Sequence, residues 1–355
     1  MSKDSQPVEG GLTRSAIFIT LSVNEGDAAL ERIRDFLGEM GGIVKAIGFR
    51  NAQAELTCVA GLGAGLWERL NPEAKPQGLH PFKEVIGVHH APSTPGDLLL
   101  HVRASSLAYC FEAVSHLMVR IQDAVRVEDE TQGFKFFDNR DLLGFVDGTE
   151  NPVGVALDDA VLVGDEDPAF KGASYVVVQK YLHQMERWNA MPVEHQERII
   201  GRHKLSDIEQ QDDEKASYAH NVLTNIEDAD GNALEILRDN MPFGSPARGE
   251  FGTYFIGYAC EPGRIETMLD NMFVGKPAGN YDRILDVSTA VTGGLFFIPT
   301  VSQLASLAAG ESVGARDHSQ ADPLESSTQP ATPESTGSLK LGSLKKANMQ
   351  EDSNE

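Results

Sequence analysis

One order of elements (strand, helix, strand pair, helix, strand) runs through this chain twice, and it constrains the fold more than any single motif. Residues 15–22 (SAIFITLS) are rich in β-branched and aromatic side chains and read as a buried strand. Asp27 is placed to cap a helix in which Leu30, Ile33, Leu37 and Met40 share one face, and Gly41-Gly42 should stop it. A strand follows around 54–59, another at 97–103 (DLLLHVR), and then a helix from about Ser106 carrying an apolar stripe through Ile121. The second half repeats the order, with strands at 174–182, 252–260 and 295–299 and helices at 194–202 and 266–273. The expectation is an α+β protein of two ferredoxin-like halves with antiparallel sheets, of the dimeric α+β barrel type, spanning residues 1–155 and 156–311.

Beyond residue 311 the composition changes. The stretch ARDHSQADPLESSTQPATPEST has almost no large apolar side chains. It cannot bury enough surface to offset its ordering entropy, so 312–355 reads as a disordered tail. Within it, Leu339, Leu341 and Leu344 reappear in GSLKLGSLKK, which fits a short docking peptide or a frayed end equally.

The formal net charge of −23 argues against a nucleic-acid partner, whose phosphates would be repelled. The start MSKDSQPVEGG lacks a secretory pattern, and no apolar run approaches the ~20 residues of a membrane helix. A cytoplasmic protein is expected. Cys58, Cys110 and Cys260 are far apart, each in an apolar stretch, and read as buried thiols.

Three stretches could carry chemistry. In GFVDGTENP, Asp147 is followed by Gly148, which fits an ordinary Asp-Gly turn as well as a carboxylate presented into a cavity. His220, in ASYAHNVL, is one of ten histidines, and position alone does not raise it above the other nine. No paired-His zinc spacing is present, whereas a single imidazole suits haem, whose porphyrin supplies four ligands. In RDNMPFG, Arg238 and Asn240 would project to one side of an extended segment. Arg238 fits a polariser of bound peroxide and a surface partner of Asp239 or Glu235 equally.

Taken together, these stretches resemble the B-type members of the dye-decolourising peroxidase family. The family's GxxDG motif falls on Gly144, Asp147 and Gly148. Its proximal histidine falls on His220, and its distal arginine and asparagine on Arg238 and Asn240. Residues 249–259 and 281–300 are also similar, so the resemblance covers roughly 15–300. It implies one haem b per chain, held mainly by 156–311, with His220 on the iron and Asp147, Arg238 and Asn240 on the hydrogen peroxide side. Asp282, or Asp286 one turn later, would accept from the other His220 nitrogen. Arg202 would meet a haem propionate.

The reaction implied is oxidation of dyes, phenols or other one-electron donors, with surface residues such as Trp188, Tyr254 and Tyr258 as electron relays. A homo-oligomer is expected. A non-catalytic haem carrier and an enzyme that removes iron from haem are the alternatives. The tail resembles encapsulin cargo-loading peptides, the match lying on Gly337, Ser338, Leu339, Leu341, Gly342, Ser343, Leu344 and Lys345. The resemblance therefore implies a shell-protein partner and a place inside an encapsulin nanocompartment.

Overall fold

Runs of apolar residues longer than strict alternation allows give strands buried on both faces, and the architecture follows from that. A computed structural model of the chain describes residues 4–11, 13–148 and 151–314. The first half holds β1 (Ser15–Val23), α1 (Asp27–Gly48), β2 (Thr57–Leu62), α2 (Ala64–Leu70), β3 (Val85–Ile86), β4 (His90–Ala91), β5 (Leu98–Ala104), α3 (Leu107–Ile121) and β6 (Val125–Phe134). Next come α4 (Val155–Val161), β7 (Ser174–His183), α5 (Met185–Asn189), α6 (Val193–Ile200) and α7 (His220–Thr224). The chain continues through β8 (Leu237–Arg238), β9 (Met241–Ser245), β10 (Glu250–Ala259), α8 (Pro262–Phe273), β11 (Ser288–Ala290), β12 (Gly294–Ile298) and α9 (Val301–Ala308).

A ten-stranded sheet runs β6-β1-β5-β2-β12-β7-β10-β8, with β11 on β7 and β9 on β10, and its pairings are antiparallel. Counting β1, β2, β5 and β6 as one to four, they lie 4-1-3-2, the ferredoxin-like order. Strands β7, β8, β10 and β12 lie in the same order. The halves join where Phe297 of β12 pairs with Leu62 of β2. Gln6 bridges beside that pair, its Nε2 donating to the Ala60 and Pro299 carbonyls at 2.9 Å each. The two ends of the sheet also approach. A Cβ on Gly133 of β6 would stand 2.6 Å from the Met241 Cβ of β9, so only glycine admits that contact.

One face, carrying Phe18, Leu99, Val176, Tyr254, Ile256 and Tyr258, packs into an interior core. The other is covered by helices, with Trp67, Phe170, Tyr175 and Phe297 forming an edge-to-face ring cluster. The three cysteines are buried and free. Among the described residues no helix is long and apolar enough to cross a membrane.

Two sequence expectations about α1 need correction. Its N-cap is Gly26 with no side-chain bond, and Asp27 instead lies in the first turn, where its charge faces the positive end of the helix. Gly41-Gly42 does not stop it, and α1 runs to Gly48. Ile43, Val44 and Ile47 extend the apolar face onto the core, and that burial outweighs the ~1 kcal/mol each glycine costs in a helix. Residues 312–314, expected in the tail, are docked instead: Asn71 Nδ2 donates to the Val313 carbonyl at 2.8 Å, and Val313 N donates to Asn71 Oδ1 at 2.9 Å.

Gly41 and Gly42 are exposed, and a Cβ at either meets nothing within 4 Å. Gly41→Ala and Gly42→Ala should therefore each stabilise the protein by ~1 kcal/mol, read as higher urea midpoints. Unchanged or lower midpoints would show that the helix needs its glycines.

Candidate active site

A cavity with an empty volume of ≈ 1210 Å³, part of it open to solvent, lies among residues from β7, β10, α7, α8 and the loop that precedes α4. All three chemical stretches singled out in the sequence contribute to it, through Asp147 and Gly148, His220, and Arg238 with Asn240.

His220 is the first residue of the short helix α7. Its Nδ1 lies 2.6 Å from Oδ2 of Asp282, which is fully buried. Asp282 caps the 3-10 turn Arg283–Asp286, accepting the Ile284 N–H at 3.0 Å through its other oxygen. The carboxylate is thus fixed before it meets the imidazole. Burial opposes a charge on His220, but the Asp282 charge and hydrogen bond outweigh it and hold the pKa above the ordinary histidine value. With Nδ1 engaged, Nε2 has no partner among the described residues. The other cavity histidine, His183, is committed at both nitrogens, to Ser288 Oγ at 2.8 Å and Thr253 Oγ1 at 2.9 Å. That difference, invisible in the sequence, distinguishes His220.

Asp286 is not the partner of His220. It sits 3.1 Å from His89 Nε2 and accepts from the Tyr281 hydroxyl at 3.0 Å. The turn it ends is 3-10, not the α-helical turn the spacing suggested.

Asp147 and Asn240 are joined, Asn240 Nδ2 donating to Asp147 Oδ2 at 2.9 Å. Asn240 Oδ1 accepts the Ile256 N–H of β10 at 3.1 Å, so the sheet orients the amide and the amide orients the acid. Gly148 has φ +80°, a conformation that favours glycine and turns the chain sharply behind Asp147. Arg238 is fixed at its backbone, where Asn151 Oδ1 accepts its N–H at 3.0 Å and Asn151 Nδ2 donates to its carbonyl at 2.7 Å. Its Nε is buried with no hydrogen-bond partner among the described residues. Neither surface ion pair considered for it, with Asp239 or Glu235, is formed. Asp239 turns to the opposite side, where it pairs with Arg103.

Arg202 lines the cavity and is held by Asp207, its Nε donating to Oδ1 at 3.1 Å and its Nη2 to the carbonyl at 2.9 Å. The suggested surface relays are not on the surface. Trp188, Tyr254 and Tyr258 are all buried. The tail residues from Gly337 to Lys345 lie outside the described residues.

One cavity residue escaped the sequence reading. Asp141 accepts the Phe145 N–H at 2.9 Å, and burial, reinforced by the nearby Asp147 charge, pushes its carboxyl up to about 7. Its only sequence signal is a carboxylate at the start of the segment leading into Gly144-Phe145-Val146-Asp147.

Among the described residues no group of three or more His, Cys, Asp and Glu side chains could hold a metal ion. A bare cation therefore has no cage here. One imidazole backed by a carboxylate suits a metal that brings its own equatorial ligands, as haem iron does.

Residues 6–135 match the family model Dyp-type peroxidase, N-terminal, and residues 138–303 match Dyp-type peroxidase, C-terminal. A dye-decolorizing peroxidase from Rhodococcus erythropolis is 49% identical over 353 residues, which cover 97% of this chain and 98% of that one. A variant of DypB from Rhodococcus jostii RHA1, solved in complex with heme, superposes with a TM-score of 0.84 at 49% identity, covering 85% of this chain and 98% of that one. The encapsulated DyP-type peroxidase from Mycobacterium smegmatis superposes with a TM-score of 0.83 at 53% identity, covering 86% and 98%.

Proposed function

The chain belongs to the Dyp-type peroxidase family, and from that premise we propose that its cavity holds haem b and uses it to reduce hydrogen peroxide at the expense of one-electron donors. When bound, haem supplies an iron centre with four ring nitrogens and stores the oxidising equivalents that peroxide delivers. His220 offers Nε2 to the iron, and the charge of Asp282 strengthens it as a donor. Arg202 offers a charged contact to a propionate, and Gly148 keeps the wall beside Asp147 free of a side chain. The heme of the Rhodococcus jostii variant supports this assignment.

On the peroxide side, Asp147 takes a proton from one peroxide oxygen and returns it to the other as the O–O bond breaks. Arg238 stabilises the negative charge that builds on the departing oxygen. Asn240 holds the acid in orientation. The observation that carries this reading is the Arg238 guanidinium, which lines the cavity with Asp147 and whose buried Nε has no hydrogen-bond partner among the described residues. A haem carrier or an iron-removing protein would need His220 and Asp282, yet gives Arg238 and Asp147 together no task.

We also propose that residues 337–345 load the enzyme into an encapsulin shell. Spaced leucines that follow a Ser-, Thr- and Pro-rich stretch suit multivalent capture by repeated shell sites, and the encapsulated relative from Mycobacterium smegmatis supports it.

His220→Ala should lose bound haem, read as a missing Soret band. Arg238→Leu should keep the haem but react with peroxide about 10²–10³-fold more slowly; a wild-type rate in that variant would remove Arg238 from the mechanism. Deletion of residues 337–355 should leave peroxidase activity intact and abolish co-purification with a co-expressed shell protein. A truncated enzyme that still loads would refute the tail assignment.

A further inference from the structure

Reducing peroxide to two waters takes two electrons and two protons. The O–O bond breaks, and the first water leaves with both protons that peroxide brought, moved between its oxygens by Asp147. The second oxygen becomes water only when two electrons from donors and two protons from solvent arrive. Asp147 is half-buried, with one oxygen occupied by Asn240, so a titratable neighbour on a route from solvent can speed the delivery of protons to it.

Asp141 stands on such a route. It lines the main cavity and also a smaller one, bounded by Thr13, Phe134, Lys135, Asn139 and Arg140. Phe134 and Lys135 are exposed, so the smaller cavity reaches the surface. The other side chains that line both cavities are those of Asp147, Arg238 and Asn240. Loop geometry fixes Asp141 in place: its N–H donates to the Phe145 carbonyl at 2.8 Å, its carbonyl accepts the Gly144 N–H at 3.1 Å, and Oδ1 accepts the Phe145 N–H. The Gly144 N–H also favours the charged carboxylate, and the side chain is only half-buried, so water can reach it. Four charged or titratable groups act on this region. Asp147 disfavours the charge on Asp141 and His220 favours it, while Lys204 interacts with both Asp141 and the adjacent Arg140. The outcome, with burial dominant, is a carboxyl held at about 7, able to exchange a proton with neutral water.

We propose that Asp141 is a relay residue that passes solvent protons from the smaller cavity to Asp147. In each transfer the Asp141 O–H gives its proton to the Asp147 carboxylate, directly or through one water. Asp141 then regains a proton from water in the smaller cavity. Two such transfers accompany the two electrons taken from the reductant and complete the second water. The inference rests on the peroxidase reading above.

The test compares haem-loaded wild type with Asp141→Asn, which keeps the acceptor for Phe145 N–H but carries no exchangeable carboxyl proton. Mixing with peroxide and following absorbance should give the wild-type rate, because peroxide supplies the protons of that step. Turnover with saturating donor should fall roughly 10²-fold at pH 6. Wild-type turnover should decline as pH rises through about 7, since the protonated acid is the donor, and the variant should lack that decline. Asp141→Glu should restore it. Infrared titration should show a protonated-carboxyl C=O band that disappears near pH 7 in wild type and is missing from Asp141→Asn. Equal slowing of both steps, an unchanged pH profile, or a wild-type protein without a titrating band would each overturn the relay. Should Asp141→Asn fail to fold, the wild-type band and the Asp141→Glu profile decide alone. Wild-type protein inert to peroxide would instead defeat the peroxidase reading, and the relay with it.

Discussion

Arg103 and Asp239 meet inside the barrel, both about 1% exposed, with an Nη1–Oδ2 hydrogen bond. Burial pushes the Asp239 carboxyl up, and the Arg103 charge opposes that shift. Arg103 Nε also donates to Thr57 Oγ1 at 3.2 Å, and its remaining nitrogen, Nη2, donates to both the Pro7 and the Val8 carbonyl. His101, held neutral by burial, packs alongside and pairs with the Tyr258 hydroxyl at 2.8 Å. Breaking such a pair from one side leaves a buried charge and costs about 3–5 kcal/mol. Because side chains alternate along an extended segment, fixing Asp239 inward sends Arg238 and Asn240 to the other side, into the cavity. A slip of one residue would exchange these directions. Arg238 and Asn240 are therefore positioned by a contact that faces away from them.

His220 is positioned differently. Its helix is too short to be stable by itself, and what orients the ring is Asp282, anchored by its own N-cap bond to Ile284. The first anchor links the halves through Arg103 and Asp239 and the second lies late in the chain at Asp282, while Asp147 and Asp141 belong to the loop between β6 and α4. Asn240 and Asn151 tie that loop to the 238–240 segment. Two asparagines thus bring the acid and the guanidinium to one cavity.

The fold was legible in the sequence because period and composition agree locally. Strands such as β7 and β10 announce themselves by β-branched and aromatic runs, and α3 by its apolar stripe and its Ser106 cap. The 4-1-3-2 order needed the repeat to be noticed twice. What failed was local punctuation overridden by packing, as at Gly41-Gly42, where Ile43, Val44 and Ile47 keep α1 going. In the site, family resemblance pointed to Asp147, His220, Arg238 and Asn240. It put Asp282 ahead of Asp286 but kept both, since the choice turns on a 3-10 turn rather than an α-helical one. Asp141 was missed because its importance comes from the cavity it borders and its burial, neither of which is encoded in neighbouring residues.

That Asp147, Arg238 and His220 make one peroxide-reducing site around haem is open to a single spectroscopic check: an absorption spectrum of the haem-loaded protein, taken before and after one equivalent of hydrogen peroxide and again after a reductant. A complete spectral change at one equivalent, and full return to the starting spectrum after two electron equivalents, are expected. A spectrum that peroxide leaves unaltered, or bleaches beyond recovery by any reductant, would contradict it.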